Sequence, residues 1–93
     1  MAYLRVEVEN NIYKDFDLEQ GRTSIGRNTK NGIVIDSPSV SNNHAHLNFE
    51  QGFFLTDLRS SNGTFINGKK ILHTKLKDKD IINFADIPAT FYE

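Results

Sequence analysis

The chain has ninety-three residues, eleven Lys and Arg against twelve Asp and Glu for a net charge of −1, and no cysteine. That length suits one domain with a modest core, and the missing cysteine excludes disulfides, iron–sulfur clusters and thiolate zinc sites. The near-neutral charge argues against broad attraction to nucleic acid or anionic lipid, so any anion site must be local.

The apolar runs are short, and Met1-Ala2-Tyr3-Leu4-Arg5 leads directly into alternating charge. Neither a membrane span nor an export signal is visible, and a cytoplasmic location is expected. Leu4 to Glu9 alternates apolar and charged residues, the period of a strand with one buried face. Asn10-Asn11 reads as a turn, and Tyr13 to Leu18 alternates again, so the two segments predict an opening hairpin. Thr23 to Gly26 is a weaker strand ending in Gly26-Arg27-Asn28, and Asn31-Gly32 signals a second turn before the very short Ile33 to Ile35.

Asp36 to Asn43 has no period around its single Val40 and reads as loop. Ala45, Leu47 and Phe49 then alternate with polar residues, and Gln51-Gly52 turns the chain into Phe53 to Leu58, a second hairpin. Ser60 to Gly63 is a polar loop whose side chains are able to bond backbone groups. Three strand-prone residues follow, and Asn67-Gly68 is a strong signal for a two-residue hairpin. Lys69 to Ile71 and Lys75-Leu76 are brief extended pieces, and Asp80 to Phe84 and Ala89 to Tyr92 supply the last strands, with Pro88 between them. About eleven short strands, no helical period and turn cues about every 8–12 residues predict an all-β sandwich or barrel. One domain over residues 1–93 is expected, cut from a longer protein because Glu93 directly follows a predicted strand.

Ser41, His44 and Asp57 are the residue types of a catalytic triad. They lie in a loop, a strand start and a strand end, without a strand-to-helix nucleophile elbow, so no enzyme activity is expected. His44 and His46 share a strand face, yet only His73 remains as a third imidazole, so no metal or other cofactor is expected. His44 at the loop–strand junction is better read as fixing the loop through backbone contacts. The ten Phe and Tyr residues mostly occupy alternating apolar positions, where core packing explains them better than base stacking does.

A compact anion site remains. Arg27 beside Gly26 offers a guanidinium fork where the backbone is free to bend, and Ser41, Asn42, Ser60, Ser61 and Asn62 add donors from two other loops. Those two loops are separated by one hairpin and emerge at the same end. In a plain meander the Arg27 loop falls at the other end, and it joins them only if Ile33 to Ile35 fails to reverse the chain.

Gly26-Arg27 after a strand, Ser41-Asn42-Asn43-His44-Ala45 at a loop–strand junction, and Asp57-Leu58-Arg59-Ser60-Ser61-Asn62-Gly63-Thr64-Phe65 followed by Asn67-Gly68 together resemble the forkhead-associated (FHA) domain family. Leu76 to Phe84 resembles that family's closing leucine, turn and aspartate-led strand. The resemblance implies an eleven-stranded antiparallel β-sandwich with its ligand loops at one end, acting as a monomeric module that grips a phosphothreonine in an extended segment of a partner protein. By motif position it implies that Arg27, Ser41, Asn42 and Ser61 bind the phosphate and that Asn62 bonds the peptide backbone. Gly26, His44, Gly63 and Asn67 match positions that shape the loops. Asn42 stands where the family often has Arg, which removes a charge but keeps donors. Residue preference around the phosphothreonine is expected from the loops around Ser37 to Ser39 and Ala85 to Pro88. The competing reading is a phospho-independent or structural module that uses a sheet face.

Overall fold

The computed structural model describes residues 2–93. β1 (Tyr3–Glu9) and β2 (Ile12–Asp17) form the expected opening hairpin, turned by Asn11 at a φ of 62°. Alternation along β1 buries Leu4 and Val6 and turns Arg5 outward to Asp15 on β2, at 2.8 and 3.0 Å. β3 (Arg22–Gly26) follows, then β4 (Ile33–Val34), β5 (Ala45–Phe49) and β6 (Phe53–Asp57). β7 (Thr64–Ile66) and β8 (Lys69–Ile71) close a hairpin at Asn67 and Gly68, whose φ values of 50° and 85° are those the Asn-Gly signal requires. β9 (His73–Lys75), β10 (Ile81–Phe84) and β11 (Ile87–Tyr92) complete the chain.

The strands form two sheets, β2-β1-β11-β10-β7-β8 and β4-β3-β5-β6-β9. The all-β sandwich expectation holds, with antiparallel pairs predominating and no helix among the described residues. Leu4, Val6, Phe84 and Phe91 of the first sheet and Ile25, Leu47 and Leu55 of the second are buried at 0–1% exposure. Burial of each such side chain contributes about 1.5–3 kcal/mol. The rings of Phe53 and Phe91 meet across the sheets at 5.6 Å.

Pro88 lies inside β11, opposite Asn83 of β10, and not between strands. Pairing of β11 with β1 begins only at Ala89, so on that side the missing proline N–H costs no ladder bond.

β4 decides the layout. It pairs parallel to β3, with Ile25 opposite Ile33 and Gly26 opposite Val34, so the chain doubles back through residues 27–32 and leaves β4 at the same end at which it left β3. A hairpin would have carried it to the far end. The β3–β4 loop, the β4–β5 loop and the β6–β7 loop therefore gather at one end, joined there by the β10–β11 turn, where Ala85 N–H donates to Gly63 O at 2.9 Å.

Candidate functional site

The three loops are tied chiefly through Ser41. Its carbonyl accepts from Arg27 N–H at 3.0 Å, and its Oγ accepts from Ser61 N–H at 3.0 Å, which leaves the hydroxyl proton to donate outward. Arg27 is exposed, and its Nε donates to Asn42 Oδ1 at 3.3 Å. Asn42 thus orients the guanidinium and keeps its own amide donors. Among the described residues the one ion pair is Arg5–Asp15, so Arg27 has no carboxylate partner there. Arg27, Ser41, Asn42 and Ser61 come together at one end, joined by these bonds.

Gly26 makes the approach possible. A Cβ at this position would lie 2.2 Å from Asn42 O and 2.8 Å from Asn31 Nδ2, so any larger residue pushes the Asn42 backbone away. Asn31, which the sequence reading used only as a turn signal, holds this contact from outside. Its Nδ2 donates to Asn42 O at 2.8 Å and to Asn28 O at 2.9 Å.

His44 is fully buried, at 0% exposure. Its Nδ1 accepts from Ser41 N–H at 3.1 Å and its Nε2 lies 2.9 Å from Gly63 O. Because a carbonyl only accepts, the proton sits on Nε2 and the ring is the neutral tautomer. Gly63 is buried, has a φ of 90°, and has the Phe65 ring and Lys70 Cε near 3.1–3.2 Å of where a Cβ would stand.

The β6–β7 loop is organised around Asp57. Its carboxylate accepts from Ser60 N–H at 3.2 Å, Ser60 Oγ–H at 2.6 Å and Thr64 Oγ1–H at 2.7 Å. Burial pushes the Asp57 carboxyl up, but the Ser60 and Thr64 hydroxyls and the Ser60 amide outweigh it and hold the group below the ordinary aspartate range. Ser60 Oγ also accepts from Gly63 N–H at 2.9 Å. Both sides of that hydroxyl are engaged within the loop, so Ser60 is a structural residue and not the anion donor the composition suggested.

Asn62 is exposed and donates from Nδ2 to Ser39 O at 2.7 Å, with Oδ1 left to accept. Ser39 Oγ in turn donates to Asp86 Oδ1 at 2.5 Å, joining the β4–β5 loop to the β10–β11 turn. Ile35 and Val40, at 3% and 1% exposure, anchor the β4–β5 loop in the core. Asn67 lies at the opposite end of β7 from Gly63. Its Nδ2 donates to Asp80 Oδ1 and its Oδ1 accepts from Ile81 N–H, so it fixes the β9–β10 turn.

The chain spans from 9% to 58% of the length of curated relatives that it matches. The glycogen accumulation regulator GarA of Mycolicibacterium smegmatis is 32% identical over 91 residues, covering 97% of this chain and 58% of GarA. The structure of Mycobacterium tuberculosis EmbR in complex with a low affinity phosphopeptide aligns at a TM-score of 0.88 and 34% identity, over 98% of this chain and 24% of EmbR. The FhaA FHA domain, solved with the intracellular domain of Rv3910, shares the fold at a TM-score of 0.90 and 24% identity, over 98% of this chain and 99% of that one. The FHA domain model matches residues 23–85, two-thirds of the chain and all three loops, and the chain belongs to the FHA domain family.

Proposed function

We propose that this domain binds a phosphothreonine-containing segment of a partner protein in Ser/Thr kinase signalling. The supporting observation is the hydrogen-bonded convergence of Arg27, Ser41, Asn42 and Ser61, with a guanidinium that has no carboxylate partner among the described residues. A phosphate carries about −1.5 to −2 charges at neutral pH and three acceptor oxygens, so one Arg plus neutral donors complements it. Arg27 supplies the charge, and the Ser41 hydroxyl, the Asn42 amide and Ser61 supply short donors. Each hydrogen bond to a charged group contributes about 1.5–3 kcal/mol, so loss of Arg27 removes the largest share.

Asn62, held by Ser39, presents its Oδ1 to a peptide N–H beside the phosphorylated residue. Discrimination of phosphothreonine from phosphoserine rests on one methyl group, worth about 0.8 kcal/mol by transfer and about 1–3 kcal/mol in a shaped pocket. This is a binding role with no chemical turnover.

Matched phosphorylated and unphosphorylated peptide libraries, titrated against the wild-type domain and Arg27→Ala, test the reading. The expected result is binding only of phosphorylated members, lost in Arg27→Ala with the fold intact. Equal affinity for both libraries would overturn it in favour of a phospho-independent module.

A further inference from the structure

The charge of this chain is unevenly distributed. Five of its eleven basic residues fall between Lys69 and Asp80, against two of its twelve acidic ones, so this short stretch is positive while the remainder is negative. Lys69, Lys75 and Lys77 border a cleft of about 200 Å³ between β8 and β9, the edge strands of the two sheets. Ile66 and Ile71, both packed against the core, form the apolar part of the lining. Asp80, which accepts from Lys77 N–H and Asn67 Nδ2, also lines the cleft and keeps its charge, so three lysines against one carboxylate leave the lining net positive; Asp78 accepts from Glu93 N–H. None of the three ammonium groups is in an ion pair among the described residues. The cleft lies at the opposite end of β7 from Gly63, and so away from the Arg27 loop.

We propose that this cleft is a second, phosphate-independent docking site for an acidic, extended segment of a partner protein. Charge complementarity sets the sign: carboxylates flanking an apolar side chain meet the lysines while that side chain rests on Ile66 and Ile71. Backbone pairing adds the geometry. β8 is the last strand of its sheet, and in a two-residue hairpin that bonds Ile66 to Lys69, Lys70 turns its N–H and C=O outward, where an extended chain adds as a further strand. Nucleic acid and anionic lipid make no use of that edge or of the isoleucines, and the acidic remainder of the domain repels them. With one segment on the Arg27 loops and another here, a single partner is held at two places, and the linked contacts bind more tightly than either alone.

The test uses the whole domain and a short unphosphorylated peptide of alternating glutamate and leucine, with its lysine–leucine counterpart as control. Titration with amide NMR reads affinity and location together. The expected result is salt-sensitive binding of the glutamate peptide alone, with shifts at Lys69 to Lys77 and none at Arg27 or Ser41. The exposed charge reversals Lys69→Glu, Lys75→Glu and Lys77→Glu combined should weaken it by roughly tenfold or more, whereas Arg27→Ala leaves it unchanged. Shifts confined to the Arg27 loops, an affinity indifferent to the lysine reversals, preferred binding of vesicles or single-stranded DNA, or self-association through this edge would each overturn the proposal. Because Arg27→Ala separates the two sites, failure here and failure of phosphopeptide binding are told apart.

Discussion

His44 Nε2 donates to the carbonyl oxygen of Gly63 across 2.9 Å, while Nδ1 of the same ring accepts from Ser41 N–H. One fully buried imidazole thus sets the spacing of the loops that carry Ser41 and Ser61. His44→Ala leaves a cavity and the Ser41 N–H without its partner, while Gly63 O keeps only its bond from Ala85 N–H, at a cost of about 2–5 kcal/mol. In a domain of this size each kcal/mol lowers Tm by about 4–8 °C. Thermal unfolding should show that fall, amide exchange at Ser41 and Ser61 should quicken, and phosphopeptide affinity should drop with them. An affinity loss with stability and exchange unchanged would make His44 a direct ligand contact instead.

Gly26→Ala tests the close approach of β3 to the β4–β5 loop. The added methyl meets the Asn42 carbonyl oxygen, a backbone atom with no rotamer to escape through. The loop must move outward, lengthening the bonds from Arg27 and Asn28 N–H to Ser41 O and Asn42 O. We expect a destabilisation of about 1–3 kcal/mol and weakened phosphopeptide binding, measured by denaturant unfolding and calorimetric titration. A variant as stable as wild type, with unchanged affinity, would show that the loop gives way without consequence.

Asp57 provides a pH signature. Its folded-state pKa is depressed below the unfolded value of about 3.9. Its contribution to stability is therefore complete above the unfolded value and disappears as pH falls through the lower, folded one. Asp57→Asn should accordingly lower stability at neutral pH, and the gap from wild type should close under acidic conditions. Denaturant midpoints measured from neutral pH down to below pH 3 check this, and a gap that stays constant would mean that ionisation of Asp57 contributes nothing.

The hairpins were legible in the sequence because their signals are local. Leu4 to Glu9 and Ala45 to Phe49 alternate with period two, and Asn67-Gly68 names its own turn. The parallel pairing of β3 with β4 was not legible, since two residues, Ile33 and Val34, carry no period and the partner depends on the intervening loop. Pro88 read as a break because proline removes a ladder donor, and only the register with β1 shows where that donor is not needed. Residue type identified Arg27, Ser41 and Ser61 as donors but did not separate them from Ser60, whose hydroxyl is taken up by Asp57 and Gly63 N–H. Asn31 was missed as a site-building residue for the same reason, and Ser39 and Asp86 lay in the two stretches expected to set residue preference without any sign that they bond each other. The Ser39–Asp86 contact joins positions forty-seven residues apart, and neither belongs to a motif.

That contact carries the last prediction. Ser39 donates through Oγ to Asp86 and accepts through its carbonyl from Asn62 Nδ2, so one residue links the β4–β5 loop, the β10–β11 turn and the side chain proposed to meet the peptide backbone. Asp86 is exposed, and its removal should cost little stability, about 0.5 kcal/mol or less. It breaks the direct bond between the two stretches expected to read the residues around a phosphothreonine, however, and leaves the Ser39 hydroxyl with only Ser37 Oγ. An oriented phosphothreonine peptide library screened against wild type and Asp86→Ala should therefore show altered residue preference while binding remains dependent on phosphate and on Arg27. If the preference of Asp86→Ala matches that of wild type, the Ser39–Asp86 bond has no part in selectivity, and the reading of the peptide must be sought elsewhere on the loops.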